Sequence, residues 1–139
     1  MISFNDTIEL ATEGFADMRD ITPDVRDVVR RSAVHDGIVC VAVPGSTGGV
    51  TTIEYEEGVL QDLKEALERL APMRQHYHHD ARWGDGNGFA HVRAALLGAS
   101  ETFPVIDGQV TLGTWQQIVL VDFDNRPRNR RVLVQVVGE

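Results

Sequence analysis

Two runs of β-branched residues near the C-terminus constrain this chain most: WQQIVLVDF (115–123) and RVLVQVV (131–137). Each is short and valine-rich, and the DNRPRNR between them is turn chemistry. Together they predict the longest hairpin of the fold, paired along most of its length. IVCVAV (38–43) is apolar at every position, as in a strand covered on both faces, and belongs at the centre of a sheet. Within it Cys40, the only cysteine, reads as a small buried hydrophobe. ISFNDTIEL alternates as a first strand, and GFADMRDIT gives a second strand or an irregular partner. PGSTGG turns into a strand VTTIEYE, and Asp107-Gly108 in TFPVIDGQVTLG is the sequence of a two-residue hairpin turn.

Helical signals are fewer. Thr22 reads as an N-cap, with Pro23 at the first helical position and Asp24 in the first turn, and Val25, Val28 and Val29 form the buried face. GVLQDLKEALERLA carries Leu60, Leu63, Leu67 and Leu70 at helical spacing as core positions. After a long aperiodic connection from Met73 to Gly88, a short helix from Phe89 to Leu97 turns Val92, Leu96 and Leu97 inward and stops at Gly98. Strands outnumber helices and hairpins outnumber crossovers. The expected fold is α+β: mainly antiparallel sheets packed as a β-sandwich with two or three helices, in a single domain, 1–139.

A net charge of −8 argues against nucleic acid as a partner, because phosphate backbones are repelled at long range. No apolar stretch approaches the roughly 20 residues of a membrane span, and MISFND has neither the basic start nor the apolar run of a secretory signal. A cytoplasmic protein is expected.

HYHHDARWGDGNGFAH (76–91) concentrates the chemistry, with His76, His78, His79 and His91 among the chain's 5 histidines. The glycine-rich loop between His79 and His91 lets the chain fold back and bring both imidazoles together. Neutral imidazole is a ligand for zinc and similar divalent metals, with a third ligand available from His76, His78, Asp80 or Glu54. The same pair suits general acid–base work near neutral pH. The spacing matches no closed structural zinc motif, and loop histidines are also ordinary surface residues.

VPGSTGGVTTIEYEEG, YHHD, GDGNGFAHVRAALLG, GQVTLGTWQQIVLVDFDN and PRNRRVLVQV, in that order, resemble the YjbQ family from about residue 35 to the end. That family is uncharacterised and also described as a secondary thiamine-phosphate synthase. The resemblance implies an enzyme joining a hydroxymethylpyrimidine diphosphate to a thiazole phosphate with release of pyrophosphate, magnesium serving that reaction, and a homotrimer. It places the family's site residues on Glu54, His79, Asn87, His91, Trp115 and Gln116. Of these, His79, His91 and Glu54 would be catalytic, and His79 and His91 would also be metal ligands. Asn87 and Gln116 would bind substrate.

Many members carry a histidine where this chain has Gly45. Either another residue supplies the third ligand, or PGSTGG has become an anion pocket whose backbone N–H groups and Ser46 and Thr47 hydroxyls hold phosphate. A histidine returned to residue 45 would restore the third imidazole, provided the backbone there does not need a positive φ. Arg126 and Arg128 read as a solvated hairpin tip. Arg130 or Arg131 could reach a neighbouring subunit's phosphate with its planar fork, and Arg131 is expected to bind substrate in this way. Trp115 reads as core, with Gln116 facing a cleft. Three functions follow: an enzyme on a small phosphorylated metabolite, a non-enzymatic metal- or metabolite-binding protein, and a structural oligomer whose histidines stabilise subunit contacts.

Overall fold

In the computed structural model, which describes residues 1–139, β1 (Ile2–Thr12) alternates along its whole length between half-buried and exposed side chains. That alternation marks one face toward the core, and it pairs β1 antiparallel with β8 (Arg128–Gly138) from end to end. β8 also pairs with β3 (Gly37–Ala42), which in turn pairs with β5 (Ser100–Ile106), and β5 turns back into the short β6 (Gln109–Val110). This gives a five-stranded sheet in the order β1-β8-β3-β5-β6. A second sheet has the order β2-β7-β4, from β2 (Asp17–Asp20), β7 (Gln117–Asp122) and β4 (Gly48–Ile53). Every pairing is antiparallel, and the expected α+β class holds.

The expected C-terminal hairpin does not form. β7 pairs with β2 and β4, whereas β8 lies in the other sheet. The reason is visible in the side chains. Ile118 and Leu120 join the core between the two sheets, together with Val39, Val41, Val132, Val134 and Val136. Val119, Val121 and Phe123 face the other way, into a second core with Leu67, Phe89 and Ala94 from the helices. A strand apolar on both faces must lie in a middle layer. β8 alternates and suits an outer one, so residues 123–127 carry the chain from one sheet to the other. IVCVAV is central in its sheet as expected but covered on one face only: Val39 and Val41 are buried, Ile38 is 47% exposed and Cys40 is half-buried rather than core.

Four helices complete the fold. α1 (Thr22–Ser32) packs Val25, Val28 and Val29 into the inter-sheet core. Its N-cap position is Ile21, not Thr22, whose hydroxyl instead accepts a 2.7 Å hydrogen bond from the Ile118 amide and ties the helix to β7. α2 (Glu57–Leu70) is capped by the Glu56 carboxylate. It buries Leu67 fully and Leu60 and Leu63 partly, but leaves Leu70 70% exposed. α3 (His78–Trp83) occupies part of the segment expected as loop.

α4 (Gly88–Leu97) ends at Gly98 as expected but is rotated relative to the expected face. Phe89, Ala90, Arg93 and Ala94 are buried, and Val92 and Leu96 are exposed. The cause is Arg93, which donates to the Ala71 carbonyl, pairs with Glu68 and lies 5.1 Å from the Phe89 ring centre. A pattern that counts arginine as solvent-facing turns this helix the wrong way. At the β5–β6 turn Asp107 and Gly108 both have positive φ, 52° and 75°, as the mirror-image hairpin turn requires.

Candidate functional site

α3 and α4 meet at an angle made by the tight loop 84–87, and they bring His79 and His91 together with ring centres 4.3 Å apart. His79 sits near the N-terminus of α3, and its Nε2 lies 3.1 Å from Asn87 Oδ1 and 3.3 Å from Asp85 Oδ1. Asn87, at the N-cap of α4, donates its amide to Asp124 Oδ1 at 3.3 Å. Asp80 in the first turn of α3 accepts from the Gly88 amide at 2.8 Å, which fixes the loop closure. His91 is half-buried and borders a cavity of about 320 Å³ that is also lined by Gly45, Ser46, Gly48 and Ala95.

Beneath this pair lies a buried ionic layer at the corner where the chain changes sheets. Asp122, on the inward face of β7, takes a two-pronged hydrogen bond from Arg130 on the inward face of β8, at 2.7 and 2.8 Å, and a further one from the Thr12 hydroxyl. Arg130 also donates to the Thr47 hydroxyl at 2.7 Å, and Thr47 donates to Asp124 at 3.1 Å. Asp124 accepts from Arg128 at 2.6 Å and from the Asn125 amide at 2.8 Å. Burial pushes both carboxyls up. For Asp122 it is outweighed by Arg130, Thr12 and the Asp124 amide, and for Asp124 by the Asn125 amide, Asn87, Thr47 and Arg128. Both acids are therefore held below the ordinary carboxylate range and stay ionised inside the protein.

Residues 6–139 match the YjbQ family, described as UPF0047 protein YjbQ-like. The chain belongs to this family. The match begins within β1, so it reaches further toward the N-terminus than the motifs from residue 35 onward. A UPF0047 protein of Methanothermobacter thermautotrophicus is 38% identical over 136 residues, 98% of this chain and 93% of that protein. One from Archaeoglobus fulgidus is 39% identical over 130 residues, 94% and 98% of the two chains. Among solved structures, a YbjQ-like protein of unknown function from Sulfolobus solfataricus superimposes with a TM-score of 0.93 at 31% identity, covering 99% of this chain and 98% of that one. A YjbQ/UPF0047 family protein from Clostridium acetobutylicum gives 0.87 at 33% identity, covering 95% and 99%.

In this YjbQ-family chain, the expected site residues separate into two places. His79, Asn87 and His91 converge, with Ser46 exposed on the same cavity. Thr47 is near but buried, its hydroxyl committed to Asp124 and Arg130 rather than offered to a ligand. Glu54 is elsewhere, exposed in a second cleft with Tyr55 and Trp115. Trp115 is not core but 73% exposed. Gln116 braces the turn that presents it, accepting from the Gly113 amide at 2.9 Å and donating to the Thr52 hydroxyl at 3.1 Å.

Arg131 points to solvent from the outer face of β8 and does not join the histidines within one chain. Its neighbour Arg130 is the arginine that faces inward. In the sequence no role is legible for Asp122, inside the apolar run WQQIVLVDF, or for Asp124 and Arg128, inside DNRPRNR, which reads as a solvated turn; Arg130, offered with Arg131 as a phosphate ligand across subunits, is instead held inside by Asp122. The alternation of β8, carried back from Val132 to Arg130, is the signal that places Arg130 on the buried face.

Other carboxylates also lie near histidines. Ligand atoms of His79, Asp80 and Asp85 lie within 4.8 Å of one another, as do those of His35, Asp36 and Asp107. The second group is exposed, and each His35 nitrogen faces a different carboxylate, Asp36 at 2.8 Å and Asp107 at 3.5 Å.

Gly45 has φ +126°, and a Cβ there would lie 3.0 Å from an Arg130 guanidinium nitrogen. The condition for restoring a histidine is therefore not met: the backbone takes a conformation that glycine alone adopts cheaply, with a buried arginine behind it. Gly45→Ala is expected to lower stability by about 1–3 kcal/mol. Urea unfolding checks this, and an unchanged midpoint would contradict a glycine requirement.

Proposed function

We propose that this chain is a small-molecule enzyme acting on a phosphorylated metabolite through the His79–His91 pair. The observation that carries this reading is the pairing itself: two imidazoles 4.3 Å apart, one anchored through Asn87 to a buried carboxylate, the other on the wall of a cavity. Two neutral imidazoles are a fitting donor set for zinc or another divalent cation, and in the absence of a cation either, in its protonated imidazolium form, could hand a proton to a departing phosphate oxygen and be left neutral. A bound cation would supply charge neutralisation for a phosphorylated substrate. Ser46 adds a hydroxyl on the cavity wall. The thiamine-phosphate synthase reaction, with magnesium, is the specific chemistry that the family resemblance offers for such a site.

Assembly as a homotrimer is part of this reading. On the outer face of the five-stranded sheet, Ile38 pairs in register with Val137 and Ala42 with Leu133. Ile38 and Leu133 are 47% and 42% exposed on either side of the Cys40–Gln135 pair, apolar surface of the kind that subunits cover. The second reading, a non-enzymatic metal- or metabolite-binding trimer, is favoured by one observation. Thr47 and Arg130 spend their donors on internal carboxylates, leaving few groups for phosphate.

The test is pyrophosphate release from hydroxymethylpyrimidine diphosphate and thiazole phosphate with magnesium, run on protein whose mass is fixed by light scattering. Slow turnover lost in a folded His91→Ala variant of a trimer is expected. No turnover with this pair, together with saturable zinc binding, would reject the synthase reading and support the binding protein. A monomer would reject the assembly.

A further inference from the structure

We infer that Asp124, acting through Asn87, locks His79 as the tautomer protonated on Nε2, so that Nδ1 is the atom His79 offers to a cation or a proton. This rests on the reading that the histidine pair is the site, and it adds the role of a positioning residue that the site's own side chains do not reveal.

Every neighbour of the Asp124 carboxylate is a donor: the Asn125 amide, the Thr47 hydroxyl, the Arg128 guanidinium and the Asn87 side chain. An ionised carboxylate only accepts. The Asn87 side chain must therefore turn its NH₂ toward Asp124, which leaves its carbonyl oxygen facing His79 Nε2 at 3.1 Å. An amide oxygen cannot donate, so Nε2 carries the hydrogen. Asp85 Oδ1, 3.3 Å from the same nitrogen, is a second acceptor and asks for the same proton. In the neutral ring the remaining lone pair is on Nδ1.

This decides between two ways of using the histidine. Ligand atoms of His79, Asp80 and Asp85 are close enough to share a cation. A cation on Nε2, however, would strip the hydrogen from the Asn87 contact and leave that oxygen facing a lone pair, while Asp80 Oδ1 already accepts from the Gly88 amide. Coordination through Nδ1 keeps every contact. It reproduces the common arrangement in which a ligating histidine donates its other N–H to a fixed oxygen that sets ring orientation and tautomer.

Long-range ¹H–¹⁵N correlation spectra of imidazole-labelled protein, at a pH where the ring is neutral, test this directly. His79 is expected to show a protonated Nε2 and an unprotonated Nδ1 as a single state. Neutral histidine in water already leans toward that form, so the variants carry the decision. In an Asp85→Ala background, which removes the second acceptor of the Nε2 hydrogen, Asn87→Ala, at a half-buried position, and Asp124→Asn should both lose the single-state signature and give averaged tautomers. Zinc should then shift Nδ1 of wild-type His79 and leave its Nε2 hydrogen in place. A protonated Nδ1 in the wild type, a spectrum of Asn87→Ala with Asp85→Ala identical to that of Asp85→Ala alone, or a zinc shift at Nε2 would each overturn the inference. Absence of any zinc shift would refute the cation reading of the site, and the metal-free spectra would still decide the tautomer.

Discussion

Arg130→Met is expected to lower the free energy of unfolding by about 3–5 kcal/mol, whereas Arg131→Met, one residue along, changes it by no more than about 0.5 kcal/mol. The two arginines are adjacent in sequence and opposite in environment. Arg130 is 5% exposed and holds the fully buried Asp122 with two hydrogen bonds across the space between the sheets. Removing it leaves a carboxylate with the Thr12 hydroxyl and one amide as its donors and no counter-ion, a loss much larger than the packing of the side chain itself. Asp122→Asn in the Arg130→Met background should recover part of the deficit, because the stranded charge is then gone and the two changes are not additive. Urea unfolding of the three variants measures all of this. Equal effects at 130 and 131 would mean that the corner between the sheets is not the ionic layer described here.

The same corner explains what the sequence could and could not convey. Individual strands were legible because β-branched runs and alternation are local properties. So was the Asp107-Gly108 turn, because positive φ at both positions selects those residues. Partner choice was not local. WQQIVLVDF and RVLVQVV look like one hairpin until β7 is seen to need cover on both faces, which no partner within a single sheet provides. The buried charges then follow: where the chain passes from one layer to the other, Asp122, Asp124 and Arg130 lie inside and must be paired, while Arg126 at the tip stays exposed.

At the candidate site, clustering of histidines marked the right segment. The convergence of His79 with His91 follows from the loop 84–87 and a helix start at Gly88. Glu54 and Gln116 could not be placed from spacing: β4 leads Glu54 to a different cleft, and Gln116 is spent on the Gly113 amide and the Thr52 hydroxyl. Arg93 and Trp115 went the other way from their usual environments, the first buried by Glu68 and Phe89, the second left exposed on a braced turn. Exceptions of this kind depend on contacts that no single window of sequence contains.

His79→Ala and His91→Ala are each expected to weaken zinc binding by more than about a hundredfold, and Asn87→Ala by roughly 10–100-fold, in competitive titration against a chromogenic chelator. The ordering follows from distance to the cation. Either imidazole is half of the two-nitrogen donor set, whereas Asn87 acts one bond back by orienting His79. His76→Ala is the suitable control, since His76 is exposed and packs edge-on against His78, 5.2 Å between ring centres, away from the Asn87 contact. His35→Ala is a poorer control, because His35 with Asp36 and Asp107 forms a separate group able to collect weakly bound metal. Loss of a low-affinity equivalent there would leave the tight one untouched. If His76→Ala weakens the tight equivalent as much as His79→Ala does, the cation lies on the exposed histidines before α3, and the pair held by Asn87 and Asp124 is not its site.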